Sequence, residues 1–191
     1  MLDYIKGTLI ELEPNFAVIE TGGWGFRLTI SLHTYNRIKT MNGQEIKLYT
    51  YMIIKEETIE LIGFFDILER RAFMLLNRVS GIGPKAAISI LSLIDVAKLK
   101  ACILSEDVKT LVSVPGIGKK TAQKIIIDLK DSIKDLPVEG GKSESGDALY
   151  EAREVLMSLG FNPGEIQLAL IDNTGNSVEE IVTKALKKLS R

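Results

Sequence analysis

The sequence predicts a multidomain α+β protein with a small β-barrel, a helical domain and a C-terminal three-helix domain. Three observations lead to this class. Apolar residues follow strand-like patterns up to Phe65 and recur at helical spacing beyond it. A Gly-Ile-Gly turn occurs twice in the helical part, and a stretch rich in Gly, Ser and charged residues follows that part. We therefore predict domains at 1–65, 66–136 and 147–191, with a flexible linker at 137–146.

The N-terminal segment has the pattern of short β-strands. In GFRLTIS the apolar residues Phe26, Leu28 and Ile30 alternate with polar neighbours, which is typical of a half-buried strand. Later strands are rich in β-branched and aromatic residues, and Gly22-Gly23 and the NGQ segment at 42–44 supply turns. Several short strands with few helical windows predict an OB-type barrel of about five strands.

The middle segment has helical periodicity interrupted at only a few places. Apolar residues recur at helical spacing, and helix-breaking residues cluster at 80–84, near Asp95 and at 115–118. This pattern predicts several short helices joined by tight turns.

The C-terminal segment carries two helix-start signals. Asn162 is in position to be an N-cap, with Pro163 at the first helical position and Glu165 at the third. Ser177 and Glu180 have the spacing of a second capping box. Helical periodicity resumes in three pieces, so the segment predicts a small three-helix domain of about 45 residues.

The Gly-Ile-Gly turn belongs to an internal duplication. Aligning 76–91 with 111–126 without gaps gives identity at eight of sixteen positions. In each copy a short helix runs into the turn and a second helix begins at once, so the glycines allow a sharp reversal and the central isoleucine turns inward. The first backbone N–H groups of the second helix then point outward, at the positive end of its dipole, and can bind a phosphate.

Lysines lie beside both turns, where they add charge without reading base identity. Two such hairpins in tandem fit successive phosphates of one strand or both strands across a groove. The predicted DNA-binding residues are Gly81, Ile82, Gly83, Lys85, Gly116, Ile117, Gly118, Lys119, Lys120 and Lys124.

Composition and charge limit the classes of function that the chain can have. The formal net charge is −2 for residues 1–63, +4 for 64–136 and −3 for 137–191, so the basic part holds the repeated turns. With Cys102 as the single cysteine and His33 as the single histidine, no His/Cys metal cluster can be built, and we expect neither metal nor cofactor. No apolar run approaches the roughly 20 residues of a membrane span, and no signal-peptide pattern opens the chain, so we expect no membrane association and a cytoplasmic location.

Enzymatic alternatives lack key residues. The GGKS segment at 140–143 resembles the end of a phosphate-binding P-loop, but Leu136 occupies the position of its first glycine. A DNA glycosylase with a lysine in its hairpin would need an aspartate about eighteen residues later, where Val138 stands. Three aspartates, at 128, 131 and 135, share one helical side and are typical of a solvated face rather than a nuclease metal site. We expect a protein without catalytic residues.

The segments SGIGPKAAISIL and PGIGKKTAQKI resemble tandem helix–hairpin–helix motifs. Their order, after a barrel and before a linker and a helical tail, is similar to the RuvA family of Holliday-junction-binding subunits over essentially the whole chain. The resemblance implies a homotetramer that binds a four-way DNA junction, with either one or two tetramers on the junction. It also implies a role in recombination and repair through recruitment of the hexameric RuvB ATPase, with the RuvC resolvase as a further candidate partner. Without the resemblance, a generic helix–hairpin–helix accessory module of a repair enzyme remains an alternative.

The resemblance also assigns roles to residues outside the hairpins. In the family an acidic pair, commonly Glu-Asp, projects from a barrel hairpin into the open junction, and Glu56 and Glu57 occupy that position here. The resemblance further implies that the three-helix tail is UBA-like and binds the motor, through the positions Leu156, Leu159, Phe161 and Leu186.

Overall fold

The computed structural model describes residues 2–54, 56, 58–137, 152–153, 155–170 and 177–189. The chain divides into two compact units, Met1–Val138 and Glu139–Arg191. The barrel and the middle helices belong to the same unit. The domain boundaries predicted at 65, 136 and 146 stay predictions.

Five strands form a closed barrel in the order β1-β2-β3-β5-β4. Neighbouring strands are antiparallel except β3 and β5, which pair in parallel. The strands are β1 (Tyr4–Glu13), β2 (Phe16–Thr21), β3 (Trp24–Ile30), β4 (Glu45–Ile54) and β5 (Ile59–Phe64). The predicted five-stranded barrel is confirmed.

A short helix, α1 (Leu32–Ile38), connects β3 to β4 and was not predicted. Ser31 is its N-cap, because the Ser31 hydroxyl accepts a hydrogen bond from the Thr34 N–H at 3.0 Å. The helix has only seven residues, so its periodicity is too brief to stand out between strands.

Five further helices follow in the first unit, as the middle of the sequence predicts. They are α2 (Ile67–Arg78), α3 (Pro84–Leu93), α4 (Val96–Leu104), α5 (Val108–Val112) and α6 (Lys119–Leu129). Their apolar faces form one buried cluster that also includes Ile62 and Phe64 of β5. The barrel and the helices are therefore joined through a shared core.

Two sets of contacts fix α2, one to the barrel strands and one to α1, which connects β3 to β4. The Phe73 ring lies 5.2 Å, centroid to centroid, from the rings of both Phe64 and Tyr51. The buried Glu69 carboxylate accepts hydrogen bonds from the Ser31 hydroxyl and, at 2.5 Å, from the Thr34 hydroxyl. The first hairpin, which follows α2, is thereby held at a defined position relative to the barrel.

The second unit is helical in its described parts. Residues 152–153 and 155–158 are helical and are followed by α7 (Pro163–Leu170) and α8 (Val178–Leu189). Both predicted N-caps are confirmed: the Asn162 side chain accepts from the Glu165 N–H at 3.0 Å, and the Ser177 hydroxyl accepts from the Glu180 N–H at 3.3 Å. At Asn162 the reciprocal bond of a capping box is also present, from the Asn162 N–H to the Glu165 carboxylate at 3.3 Å. None of the helices described in the chain is long and apolar enough to cross a membrane.

Candidate nucleic-acid interface

The two Gly-Ile-Gly turns have the same backbone geometry. The first joins α2 to α3 and the second joins α5 to α6. Gly81 and Gly116 have φ of +94° and +86°, in the left-handed region that a side chain disfavours. The first glycine of each turn is therefore required by the backbone conformation itself.

The central isoleucines fix both turns to the core, as predicted. Ile82 is 4% exposed and Ile117 is 5% exposed, and both belong to the shared buried cluster. Their N–H groups donate back into the turn, from Ile82 to the Val79 carbonyl at 2.9 Å and from Ile117 to the Val114 carbonyl at 3.0 Å. The flanking glycines remain at the surface because the isoleucine between them occupies the interior.

The helices that follow the turns start without a side-chain cap. Gly83 is the N-cap of α3 and Gly118 is the N-cap of α6, and neither provides a side-chain acceptor. The other four helices described between residues 2 and 137 all begin on a Ser or Asp whose side chain accepts from the first turn: Ser31, Asp66, Asp95 and Asp107. The N–H groups in the first turns of both hairpin helices are therefore available to an external acceptor, except at Pro84, the first residue of α3, which has no N–H.

The second glycine of each turn is not required by the fold of the chain. A Cβ built on Gly83 or Gly118 meets no atom within 4 Å, and φ is −88° and −82° at these residues. Any residue could adopt this backbone without strain. A bare backbone at these two positions is suited to the close approach of a ligand to the N–H groups.

Exposed lysines surround both turns. Lys85 on α3 and Lys119, Lys120 and Lys124 on α6 are all exposed. In the described part of the chain none of these four lysines forms an ion pair. Each turn thus combines uncapped N–H groups with lysine side chains that are not paired with a carboxylate of the described residues. Such an arrangement binds phosphate oxygens.

A groove of about 650 Å³ brings the two hairpins and the barrel together. Its lining includes Asn15, Phe16, Arg27 and Thr29 of the barrel, Lys85 of α3 and Pro115 of the second hairpin. Arg27 and Phe16 were not predicted from the sequence as part of the site. Alternation along β3 places Arg27 on the outside of the barrel, but nothing in the sequence shows that β3 and α3 line the same groove.

The predicted acidic pair falls at the connection between β4 and β5. Glu56 is exposed there, whereas Glu57 lies outside the described residues. Ile54 and Ile59 form a cross-strand pair next to Glu56 and are 68% and 69% exposed. We call this connection, with the exposed Glu56 and the exposed apolar pair at its base, the acidic tip.

The predicted motor-binding residues differ in exposure. Leu156 is fully buried in the core of the second unit, and Phe161 and Leu186 pack against that core while partly buried. Leu159 is 56% exposed. Of the four, Leu159 therefore offers the most surface, and further exposed apolar residues of this unit are Val155, Met157 and Leu168.

Three family models match consecutive parts of the chain. The RuvA N-terminal domain model matches residues 1–63, the SAM-like helix-hairpin-helix tandem model matches 73–131, and the RuvA C-terminal domain model matches 147–190. Together the three matches follow the order of barrel, tandem hairpins and helical tail.

Curated relatives match the chain from end to end. A protein of Acetivibrio thermocellus named Holliday junction branch migration complex subunit RuvA is 41% identical over 100% of both chains. Proteins of the same name are 40% identical in Ruminiclostridium cellulolyticum, over 99% of this chain and 100% of the relative, and 37% identical in Caldanaerobacter subterraneus, over 100% of both.

Proposed function

The chain belongs to the RuvA family, and from that membership we propose that it binds a four-way DNA junction as a non-catalytic subunit of a branch-migration complex. The observation that carries the proposal is the pair of matching hairpins. Each combines a left-handed glycine, an uncapped helix start on an unhindered glycine, and at least one exposed lysine. We place its action in the cytoplasm, on chromosomal DNA in recombination and repair, without a cofactor.

The hairpins contact phosphates rather than bases. Backbone N–H groups in the first turns of α3 and α6, which follow Gly83 and Gly118, donate to phosphate oxygens, and the neighbouring lysines add long-range attraction. Neither kind of group distinguishes one base pair from another. A binder of this kind recognises the path of the backbones, which is what a junction of arbitrary sequence presents.

We propose that the chain acts as a homotetramer on the open junction, with one or two tetramers present. Around a fourfold axis, the exposed Ile54 and Ile59 would be buried against neighbouring copies. The Glu56 and Glu57 carboxylates would then gather at the centre, where they repel phosphates and favour separated strands. A tetramer with fourfold symmetry has one pair of hairpins for each of the four arms of the junction.

The second unit recruits the RuvB ATPase hexamer in this proposal. Its net charge is negative, so it is a poor ligand for DNA. Leu159 and the exposed Leu168 offer apolar surface to a protein partner, whereas Leu156 supports that surface from the core. The predicted linker would let the motor move relative to the junction. The RuvC resolvase is proposed as a further partner of the junction-bound complex.

A truncation after Pro137 tests this division of labour, because the first unit has its own core. The truncated chain should bind junctions like the full chain but should not stimulate branch migration by the RuvB motor. As a matched pair in the full chain, Leu159→Ser should weaken motor stimulation, whereas Ser158→Ala at the neighbouring exposed position should not. Retained stimulation by the truncated chain would contradict the assignment of the tail.

A further inference from the structure

The groove between the barrel and the hairpins extends the phosphate-binding surface beyond the hairpins. It contains Lys85, which belongs to the first hairpin motif, and Arg27, which belongs to β3 of the barrel. None of the residues described as lining it is an Asp or Glu. Its polar lining residues Asn15, Thr29, Ser89 and Ser92 can form hydrogen bonds with phosphate and sugar oxygens.

The Arg27 guanidinium is held in place before any ligand arrives. Its central carbon lies 4.0 Å from the centroid of the Phe16 ring, and its Nη2 lies 3.6 Å from Oε2 of Glu11. The Arg27 side chain is nevertheless 63% exposed. A stacked, accessible guanidinium presents a planar fork that matches two phosphate oxygens.

The walls of the groove are also fixed relative to each other. The Ser92 hydroxyl on α3 accepts from the Leu32 N–H, at the start of α1, at 3.0 Å. Glu69 of α2 accepts from Ser31 and Thr34 at the same end of the barrel. The backbone segments that carry Arg27 and Lys85 are therefore held in one arrangement, and one strand of a duplex lying in the groove can contact both side chains.

We propose that Arg27 is a further DNA-contacting residue, which binds a backbone phosphate of the same strand that the first hairpin holds at Lys85. The barrel then takes part in directing the DNA arm, in addition to presenting the acidic tip. This inference rests on the proposed junction binding. Its occupant is a nucleic-acid backbone, because the groove combines two cations with neutral polar groups and is continuous with the hairpin surface.

The test is a fluorescence anisotropy titration of the full chain with a labelled four-way junction at several salt concentrations. Arg27→Gln should weaken binding about threefold to tenfold at low salt and lower the slope of log affinity against log salt by about one. The matched control is Arg37→Gln. Arg37 also stacks on a phenylalanine, Phe65 at 4.2 Å, but does not line the groove, so its loss should leave the slope unchanged.

The loss of Arg27 also leaves Glu11 without this partner, and a second variant separates that effect. Glu11→Gln combined with Arg27→Gln should keep the reduced slope. A return to the parental slope in the double variant would overturn the proposal, as would a parental slope in Arg27→Gln or an equal loss in Arg37→Gln. Failure of the parental chain to prefer the junction over a duplex would instead contradict the proposed function.

Discussion

Gly116 and Gly118 lie two residues apart in the second hairpin and differ in why they are glycines. Gly116 has a φ of +86°, so the turn itself requires it. Gly118 has a φ of −82°, and a Cβ there meets no atom within 4 Å. The first glycine serves the fold, and the second serves the approach of a ligand.

This difference predicts opposite effects of two substitutions. Gly116→Ala should reduce the free energy of unfolding by about 1–2 kcal/mol, because alanine is strained in the left-handed region. Gly118→Ser should leave the free energy of unfolding unchanged or raise it by a few tenths of a kcal/mol, since serine can cap α6. Its hydroxyl would compete with phosphate for the same N–H groups, so junction affinity should fall. Urea unfolding and anisotropy titration measure the two effects, and parental junction affinity in Gly118→Ser would contradict this role.

The lysines of the second hairpin should contribute to affinity without sequence preference. Lys119→Ala combined with Lys120→Ala should lower the slope of log affinity against log salt by about two. Each phosphate that the protein no longer contacts keeps nearly one condensed counterion, which is then not released on binding. The loss should be equal for junctions of different sequence. Lys39→Ala combined with Lys98→Ala removes the same charge from exposed positions outside the hairpins and provides the control.

The acidic tip should govern selectivity rather than affinity. Glu56→Lys combined with Glu57→Lys replaces repulsion of phosphates with attraction, so affinity for a linear duplex should rise and the preference for the junction should shrink. Glu56 is exposed, so its replacement should not affect the fold. Competition between labelled junction and unlabelled duplex measures the preference. A preference equal to that of the parent would mean that the pair is only a turn.

The Glu69 network predicts a specific dependence of stability on pH. Burial raises the pKa of the Glu69 carboxyl above its ordinary value of 4.5, although the hydrogen bonds from Ser31 and Thr34 act to lower it. The folded state therefore holds the proton of Glu69 more tightly than the unfolded state. The contribution of Glu69 to the free energy of unfolding is complete below pH 4.5 and is lost as pH rises through the raised pKa. Relative to Glu69→Gln, the parent should lose stability over that range with a slope of at most about 1.4 kcal/mol per pH unit. Urea unfolding of both proteins from pH 4 upward checks the sign, which an opposite slope would contradict.

The sequence predicted the parts of the fold that depend on local patterns. Strand alternation around Leu28 and the repeat of Gly81–Gly83 at 116–118 are visible without any tertiary information. The uncapped helix starts could also have been recognised, because Gly83 and Gly118 replace the Ser or Asp that begins the other helices of the first unit.

Features that depend on tertiary packing were not predictable. Arg27 and Lys85 line the same groove because the fold brings β3 and α3 to it, a relation between segments almost sixty residues apart. The different exposure of Leu156 and Leu159 was not predictable either. The two residues are three positions apart, yet Leu156 is buried and Leu159 is exposed. Helical periodicity shows that both are apolar but does not show where the packed face of so short a helix ends.

The central claim is that the chain recognises the structure of a junction, and a competition titration tests it most directly. The full chain is bound to a labelled four-way junction and challenged, at physiological salt, with unlabelled junction or with unlabelled linear duplex of equal length. We predict that the duplex competes at least about tenfold less well, a difference of about 1.4 kcal/mol or more. Equal competition by junction and duplex would contradict the claim and would favour a generic helix–hairpin–helix DNA-binding module.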